Sequence, residues 1–125
     1  MPATEYIIYQ EANGRSPLIE WLKKQRAKVQ DKCIAKVKLL QDCGYELRPP
    51  HCRSLRDKIR ELRIKHGSVN YRILYAFTDQ NVVLLTNGCT KEKEVPDEEI
   101  ERARRYLENY LKNPEVHTYE LEREQ

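Results

Sequence analysis

The stretch RELRIKHGSVNYRILYAF, residues 60–77, decides the fold. Apolar and polar residues alternate on both sides of His66-Gly67-Ser68, a pattern typical of two antiparallel strands joined by a tight turn. A third apolar run follows a turn at residues 78–81. The sequence therefore predicts an antiparallel meander with strands at residues 59–65, 69–77 and 82–87.

The chain before this meander predicts one strand and two helices. Residues 4–10 are rich in β-branched and aromatic residues, so they are expected to form an edge strand or the second strand. Ser16 followed by Pro17 indicates an N-cap and the first residue of a short helix. A second helix is predicted from about residue 28 to Gly44, a residue suited to a left-handed cap. We expect the two helices to form an antiparallel hairpin.

A last helix is predicted after Pro96, because three acidic residues follow the proline and suit the positive end of the helix dipole. The order of elements is then β-α-α-β-β-β-α, an α+β fold with a small antiparallel or mixed sheet. We expect a single domain over residues 1–112 and a loose acidic tail over residues 113–125. This tail either folds back on a basic surface or is disordered.

Several classes of protein are disfavoured by composition. The chain has no run of 18 apolar residues and begins without a basic segment or a long apolar one, so neither a membrane span nor a signal peptide is predicted. The expected location is the cytoplasm. The four cysteines form no CxxC pair and have no histidine at zinc-ligand spacing, so we predict free thiols, no metal and no cofactor.

Positive charge is concentrated in the middle of the chain. Residues 48–72 carry 8 Lys and Arg against 2 Asp and Glu, whereas residues 73–125 carry 7 against 12. This asymmetry is expected when one surface of a protein meets a polyanion.

Arginines on the predicted hairpin give this charge a structural context. Arg63 and Arg72 fall on one face of the sheet if the apolar residues of both strands face the helices. Neighbouring like charges imply an acid or an anionic ligand, so either Glu61 pairs with one arginine and the rest are solvated, or the face binds an anion such as RNA phosphate. Four residues would extend such an RNA-binding patch: Arg53, Arg56, Lys58 and Arg60.

Further candidates flank the strands. Lys91 and Lys93 follow the last strand of the meander, where alternating Lys and Glu is typical either of a solvated turn or of a cationic contribution to the site. His51 and His66 flank the basic strands, but no nucleophile motif accompanies them. Tyr71 and Tyr75 are weaker candidates for base stacking or proton transfer.

Four segments together resemble the RelE/ParE toxin superfamily, and specifically its HigB-like, phage-derived branch. They are RSLRDKIRELR (53–63), YRILY (71–75), LLTNG with the K.K..VP that follows (84–96), and EEIERA (98–103). The order and spacing agree over most of residues 4–111. Three positions depart from the family pattern: Arg60 replaces an aromatic residue, Glu92 separates two lysines that usually adjoin, and Cys89 stands where Phe is common.

The resemblance implies a compact sheet with helices on one side and a type II toxin that cleaves mRNA in the ribosomal A site. It also implies neutralisation by a small antitoxin, often a helix-turn-helix protein. Carried over by position, Arg63 and Arg72 would clamp phosphate, and Lys91 and Lys93 would add charge, with Tyr71 as a further catalytic candidate. No metal is needed if the 2′-hydroxyl of the substrate is the nucleophile.

Two other functions remain open at this point. A ParE-like protein would inhibit DNA gyrase by binding it and would need no catalytic charges. A non-catalytic module derived from the toxin fold would bind RNA or protein without cleaving anything, which the separated lysine pair and Arg60 would favour.

Overall fold

A computed structural model of the chain describes residues 4–90 and 94–120. Six strands form one sheet in the order β2-β3-β4-β5-β1-β6. The strands are β1 Glu5–Tyr9, β2 Cys52–Ser54, β3 Arg60–His66, β4 Val69–Asp79, β5 Val82–Thr90 and β6 Thr118–Tyr119. The helices are α1 Pro17–Lys23, α2 Ala27–Cys43 and α3 Asp97–Lys112, and a 3-10 turn, Gly44–Glu46, follows α2.

The predicted meander is confirmed, because β3, β4 and β5 pair antiparallel in sequence order. β1 lies next to β5 and parallel to it, so the sheet is mixed. The prediction that β1 is an edge or second strand is also confirmed, since β6 covers its outer side. Two short strands were not predicted: β2, which pairs with β3, and β6.

Local signals set the ends of the first two helices where the sequence predicted them. The backbone N–H of Ile19 donates to Oγ of Ser16 at 3.3 Å, and Pro17 occupies the first turn of α1. α2 ends at Gly44, whose φ of 57° is a conformation that residues with a Cβ rarely adopt. A short connection therefore leads from α1 to α2, and both helices pack on the same core.

The sheet is covered on both faces. Residues of α1 and α2 pack with Ile73, Tyr75 and Leu85 on one face, whereas α3 packs against Leu74 and Ala76 on the other. The expectation of helices on one side is therefore wrong, and residues 71–76 of β4 are all buried. The physical reason is that β4 alternates two apolar sets, which need one helical layer each.

The segment expected to be a loose tail returns to the sheet over its described part, residues 113–120. β6 pairs antiparallel with β1, and the ring of His117 stacks on Tyr9 with centroids 5.2 Å apart. The backbone N–H of Gln10 also donates to the carbonyl oxygen of His117 at 3.1 Å. This segment therefore lies at the β1 edge of the sheet, away from the basic hairpin.

None of the helices in the described ranges combines the length and apolar character needed to cross a membrane. Residues 4–90 and 94–120 also contain no group of three or more His, Cys, Asp or Glu side chains arranged to hold a metal ion. None of the four cysteines, all within the described residues, forms a disulfide, and three of them are buried.

Gly88 of β5 lies under the indole ring of Trp21. Nε1 of this ring donates a hydrogen bond to Oγ1 of Thr90 at 3.1 Å, which holds the ring in place. A Cβ at position 88 would lie 2.8 Å from Cζ3 of Trp21 and closer still to two other ring atoms. We therefore expect Gly88→Ala to lower the free energy of unfolding by about 1–3 kcal/mol, measured by urea denaturation. Adding Trp21→Ala should remove most of this penalty, and an additive double variant would contradict the packing explanation.

Candidate nucleic-acid interface

A basic cavity of about 370 Å³ opens beside the part of β3 that has no partner in β2. β2 pairs with β3 only as far as Leu62, so the remainder of β3 has β4 on one side and the loop before β2 on the other. The backbone N–H of Arg63 donates to the carbonyl oxygen of His51 at 2.9 Å and fixes that loop. The cavity is lined by Lys36, Pro50, His51, Arg63, Ile64, Lys65, Asn70, Tyr71 and Arg72.

Arg63 and Arg72 lie directly opposite each other in the register of β3 and β4. Their strand neighbours Leu62 and Ile73 belong to the core under α1 and α2, so both arginines are on the α3 side of the sheet. Arg63 is half-buried and Arg72 is 4% exposed. The structure thus brings together the two arginines that the sequence placed on one face.

Arg72 is held by Glu61 inside the sheet. Nε of Arg72 lies 2.7 Å from Oε2 of Glu61, at an angle outside hydrogen-bond geometry, and the two side chains are only 5% and 3% exposed. A buried cation needs such a partner, because desolvation of an isolated charge is costly. The alternative that Glu61 pairs with one of the arginines is therefore observed, while Arg63 and the lysines remain in the cavity wall.

The cavity also receives a side chain from α2 that the sequence analysis missed. Nζ of Lys36 lies 3.1 Å from Nδ1 of His51, on the far side of the β3 edge from Arg63. One signal was available in the sequence, since Lys28, Lys32 and Lys36 recur every four residues and must share a stripe of the helix. The proximity of this stripe to the hairpin is a tertiary feature.

Arg60 lies apart from the other arginines, because alternation along β3 places it on the opposite face of the sheet from Arg63. Its Nε donates to Oη of Tyr75 at 3.3 Å. Burial raises the pKa of Tyr75 to about 12, and the hydrogen bond from Arg60 only partly offsets this. Tyr75 is therefore protonated and inside the core, whereas Tyr71 reaches the cavity wall. Tyr71 is better placed than Tyr75 for a role at the cavity.

Arg56 is engaged by three carboxylates. Its guanidinium contacts Asp97, and it lies 2.7 Å from Glu101 and 2.6 Å from Asp57. Hydrogen bonds to Asp97, Glu101 and Asp57, in that order, raise the pKa of Arg56. This residue connects the turn between β2 and β3 to the first turns of α3, and its charge is engaged within the fold.

The Arg56 network predicts a dependence of stability on pH. Arg56, followed by Arg104, lowers the pKa of Glu101 below its ordinary value. A carboxyl with a depressed folded-state pKa stabilises the fold above its unfolded pKa, about 4.3, and this contribution is lost as pH falls through the folded value. We expect Arg56→Gln to lower the melting temperature at pH 7. The difference in melting temperature between this variant and the wild type should disappear as the pH falls. Arg105→Gln is the control, and a gap independent of pH would contradict the prediction.

The remaining predicted residues occupy separate positions. Arg53 is exposed on β2, opposite Glu61, and Lys58 is exposed in the turn between β2 and β3 with a φ of 69°. Lys91 and Lys93 lie outside the described residues. Of the nine predicted site residues, the cavity wall therefore contains Arg63, Arg72 and Tyr71.

The mixed sheet with helices on both faces and a basic cavity beside β3 defines a small α+β protein. The family description phage derived protein Gp49-like (DUF891) matches residues 20–108, most of the chain, so the chain belongs to this family. The family falls within the RelE-like superfamily of type II toxins, and such a toxin has an antitoxin partner. No curated protein matches the chain in sequence.

Proposed function

We propose that this protein is a HigB-like toxin that cleaves mRNA in the ribosomal A site and so inhibits translation. The observation that carries the proposal is the pair of arginines, Arg63 and Arg72, facing each other across two strands in the wall of a basic cavity. Family membership supports the toxin class, and the cavity supports RNA as the target because arginine binds phosphate in a bidentate manner.

The chemistry needs only groups that the cavity and the substrate supply. The 2′-oxygen of the nucleotide attacks the adjacent phosphorus, its proton passes to a base, and the 5′-oxygen leaves with a proton. Arg63 and Arg72 would neutralise the charge that develops on the nonbridging oxygens. His51, Tyr71, Lys36 and Lys65 are the residues of the wall whose types serve as general acids or bases, and the ribosome is a second source of such groups.

The antitoxin is proposed to neutralise the toxin by covering this cavity. A partner with an acidic segment would complement Lys36, Lys65 and Arg63, because electrostatic complementarity steers association and sets specificity. A helix-turn-helix protein encoded next to the toxin is the expected form. Restoration of growth on co-expression is the expected result, and loss of antitoxin copurification with an Arg63→Glu variant would locate the contact.

The experiment that tests the function is primer extension on a reporter mRNA after brief induction. Cuts within codons that vanish when translation is blocked are expected for a ribosome-dependent nuclease. Intact mRNA with growth arrest would contradict the proposal. Plasmid supercoiling, measured in the same cells, separates the ParE-like alternative, which predicts gyrase inhibition with intact mRNA.

A binding-only function is the second candidate, and the buried contact between Glu61 and Arg72 favours it. A carboxylate 2.7 Å from the guanidinium reduces the net charge available to a phosphate. A non-catalytic protein would protect RNA from added nuclease without cutting it. An Arg63→Ala variant that still arrests growth at the wild-type level would support this second candidate.

A further inference from the structure

Three lysines form a regular row on α2. Lys28, Lys32 and Lys36 recur at intervals of one helical turn, so their backbone positions are spaced by about 6 Å along the axis. Lys28 and Lys32 are exposed, and Lys36 is half-buried where it reaches the cavity. We call these three residues the lysine ladder.

The lysine ladder runs beside the β3–β4 hairpin. Nζ of Lys32 donates to the carbonyl oxygen of Lys65 at 3.4 Å, and Nζ of Lys36 lies 3.1 Å from Nδ1 of His51. Burial, followed by the charges of Lys32, Arg26 and Lys28, lowers the pKa of His66 at the turn of the hairpin. The ladder and the basic cavity therefore form one continuous cationic surface across two structural layers.

This charge is not neutralised within the part of the chain that the structure describes. No carboxylate there lies within 4 Å of the ammonium group of Lys28, Lys32 or Lys36, whereas Lys38 on another side of the same helix pairs with Asp42 at 3.9 Å. Three like charges in a row repel one another, so the row favours a polyanion that spans all of them.

We propose that the lysine ladder binds the phosphate backbone of double-helical RNA, beside the strand that enters the cavity. This inference rests on the proposed function, which places RNA at the adjoining cavity. α2 has no aromatic residue, and proteins that hold single strands use aromatic side chains to stack on bases. Duplex RNA is instead recognised through its shape and its backbone, and lysines can supply the phosphate contacts.

An acidic protein is the competing occupant, and the apolar residues of α2 argue against it. Stable protein interfaces have a buried apolar or aromatic centre. The exposed large apolar residue of α2 is Ile34, which lies on the side facing α1 and lines an apolar cavity there with Val37. The lysine ladder thus has charge without an apolar anchor, as expected for contact with a nucleic-acid backbone.

The test compares a ladder variant, Lys28→Gln with Lys32→Gln and Lys36→Gln, with a control that removes three charges elsewhere: Lys23→Gln with Arg105→Gln and Lys112→Gln. Affinity for a generic RNA duplex and for an unstructured single strand is measured at several salt concentrations. We expect the ladder variant alone to lose roughly 10- to 100-fold in duplex affinity at low salt. The slope of log affinity against log salt should fall by about 3, one per lost lysine contact.

Three outcomes would overturn the proposal: equal duplex affinity in the ladder variant and wild type, an equal loss in the control, or a loss confined to the single strand. Ladder-dependent binding of polyglutamate in place of duplex RNA would identify a protein interface. An unchanged melting temperature excludes misfolding.

Arg63→Ala should retain duplex binding and lose cleavage. If neither the wild type nor any variant cleaves RNA, the proposed function fails. The ladder proposal still stands in that case, provided that duplex binding depends on the three lysines.

Discussion

Arg63→Ala is expected to reduce RNA cleavage by about 10²–10³-fold, the usual cost of removing one preorganised donor to a developing oxyanion. Arg63 is half-buried and lines the cavity, and its described contacts include no carboxylate within ion-pair distance. The variant should have a lower kcat for cleavage on ribosomes loaded with a defined mRNA, because negative charge on the phosphate increases towards the transition state. Single-turnover cleavage on ribosomes carrying a defined codon in the A site is the measurement.

Two further variants make this result specific. Arg63→Lys should recover only part of the rate, because an ammonium group cannot reproduce the planar, bidentate contact of a guanidinium. Arg105→Ala, which removes an exposed arginine of α3, should cleave like wild type. Wild-type cleavage by Arg63→Ala would remove this residue from the catalytic site, and equal losses in Arg63→Ala and Arg105→Ala would point to net charge alone.

Glu61→Ala is expected to destabilise the protein by about 3–5 kcal/mol, since it leaves the buried guanidinium of Arg72 without its carboxylate. Both side chains are at most 5% exposed, so water cannot replace the lost partner. Urea denaturation followed by circular dichroism measures the change. Glu20→Ala is the matched control, because Glu20 contacts Arg15 at a similar distance of 2.8 Å on an exposed surface, and it should leave stability almost unchanged.

The double variant Glu61→Leu with Arg72→Met separates stability from activity. Replacing a buried ion pair by apolar residues of similar volume is often neutral, so the double variant should recover most of the stability that Glu61→Ala loses. It should not recover cleavage, because the cation at position 72 is absent. A stable double variant that still cleaves RNA would show that Arg72 is structural only. This outcome would leave Arg63 and the lysines as the phosphate contacts.

The amino-acid sequence by itself determined the local structure and the shared face of the two arginines. Ser16, Pro17 and Gly44 set helix ends through backbone chemistry that acts over a few residues. The period of two along residues 60–77 set the strands, and it also put Arg63 and Arg72 on one side of them. These features depend on neighbours in the chain, which a single sequence displays directly.

Only the tertiary structure decided which of the arginines have carboxylates beside them. Arg56 and Arg72 resemble Arg63 in the sequence, yet carboxylates from α3 and from β3 engage them. The lysine ladder lies in a basic stretch of the sequence, residues 23–38, but it meets the hairpin only because α2 packs across β3. Burial and ion pairing join residues that are distant in the chain, so they cannot be read from spacing or composition.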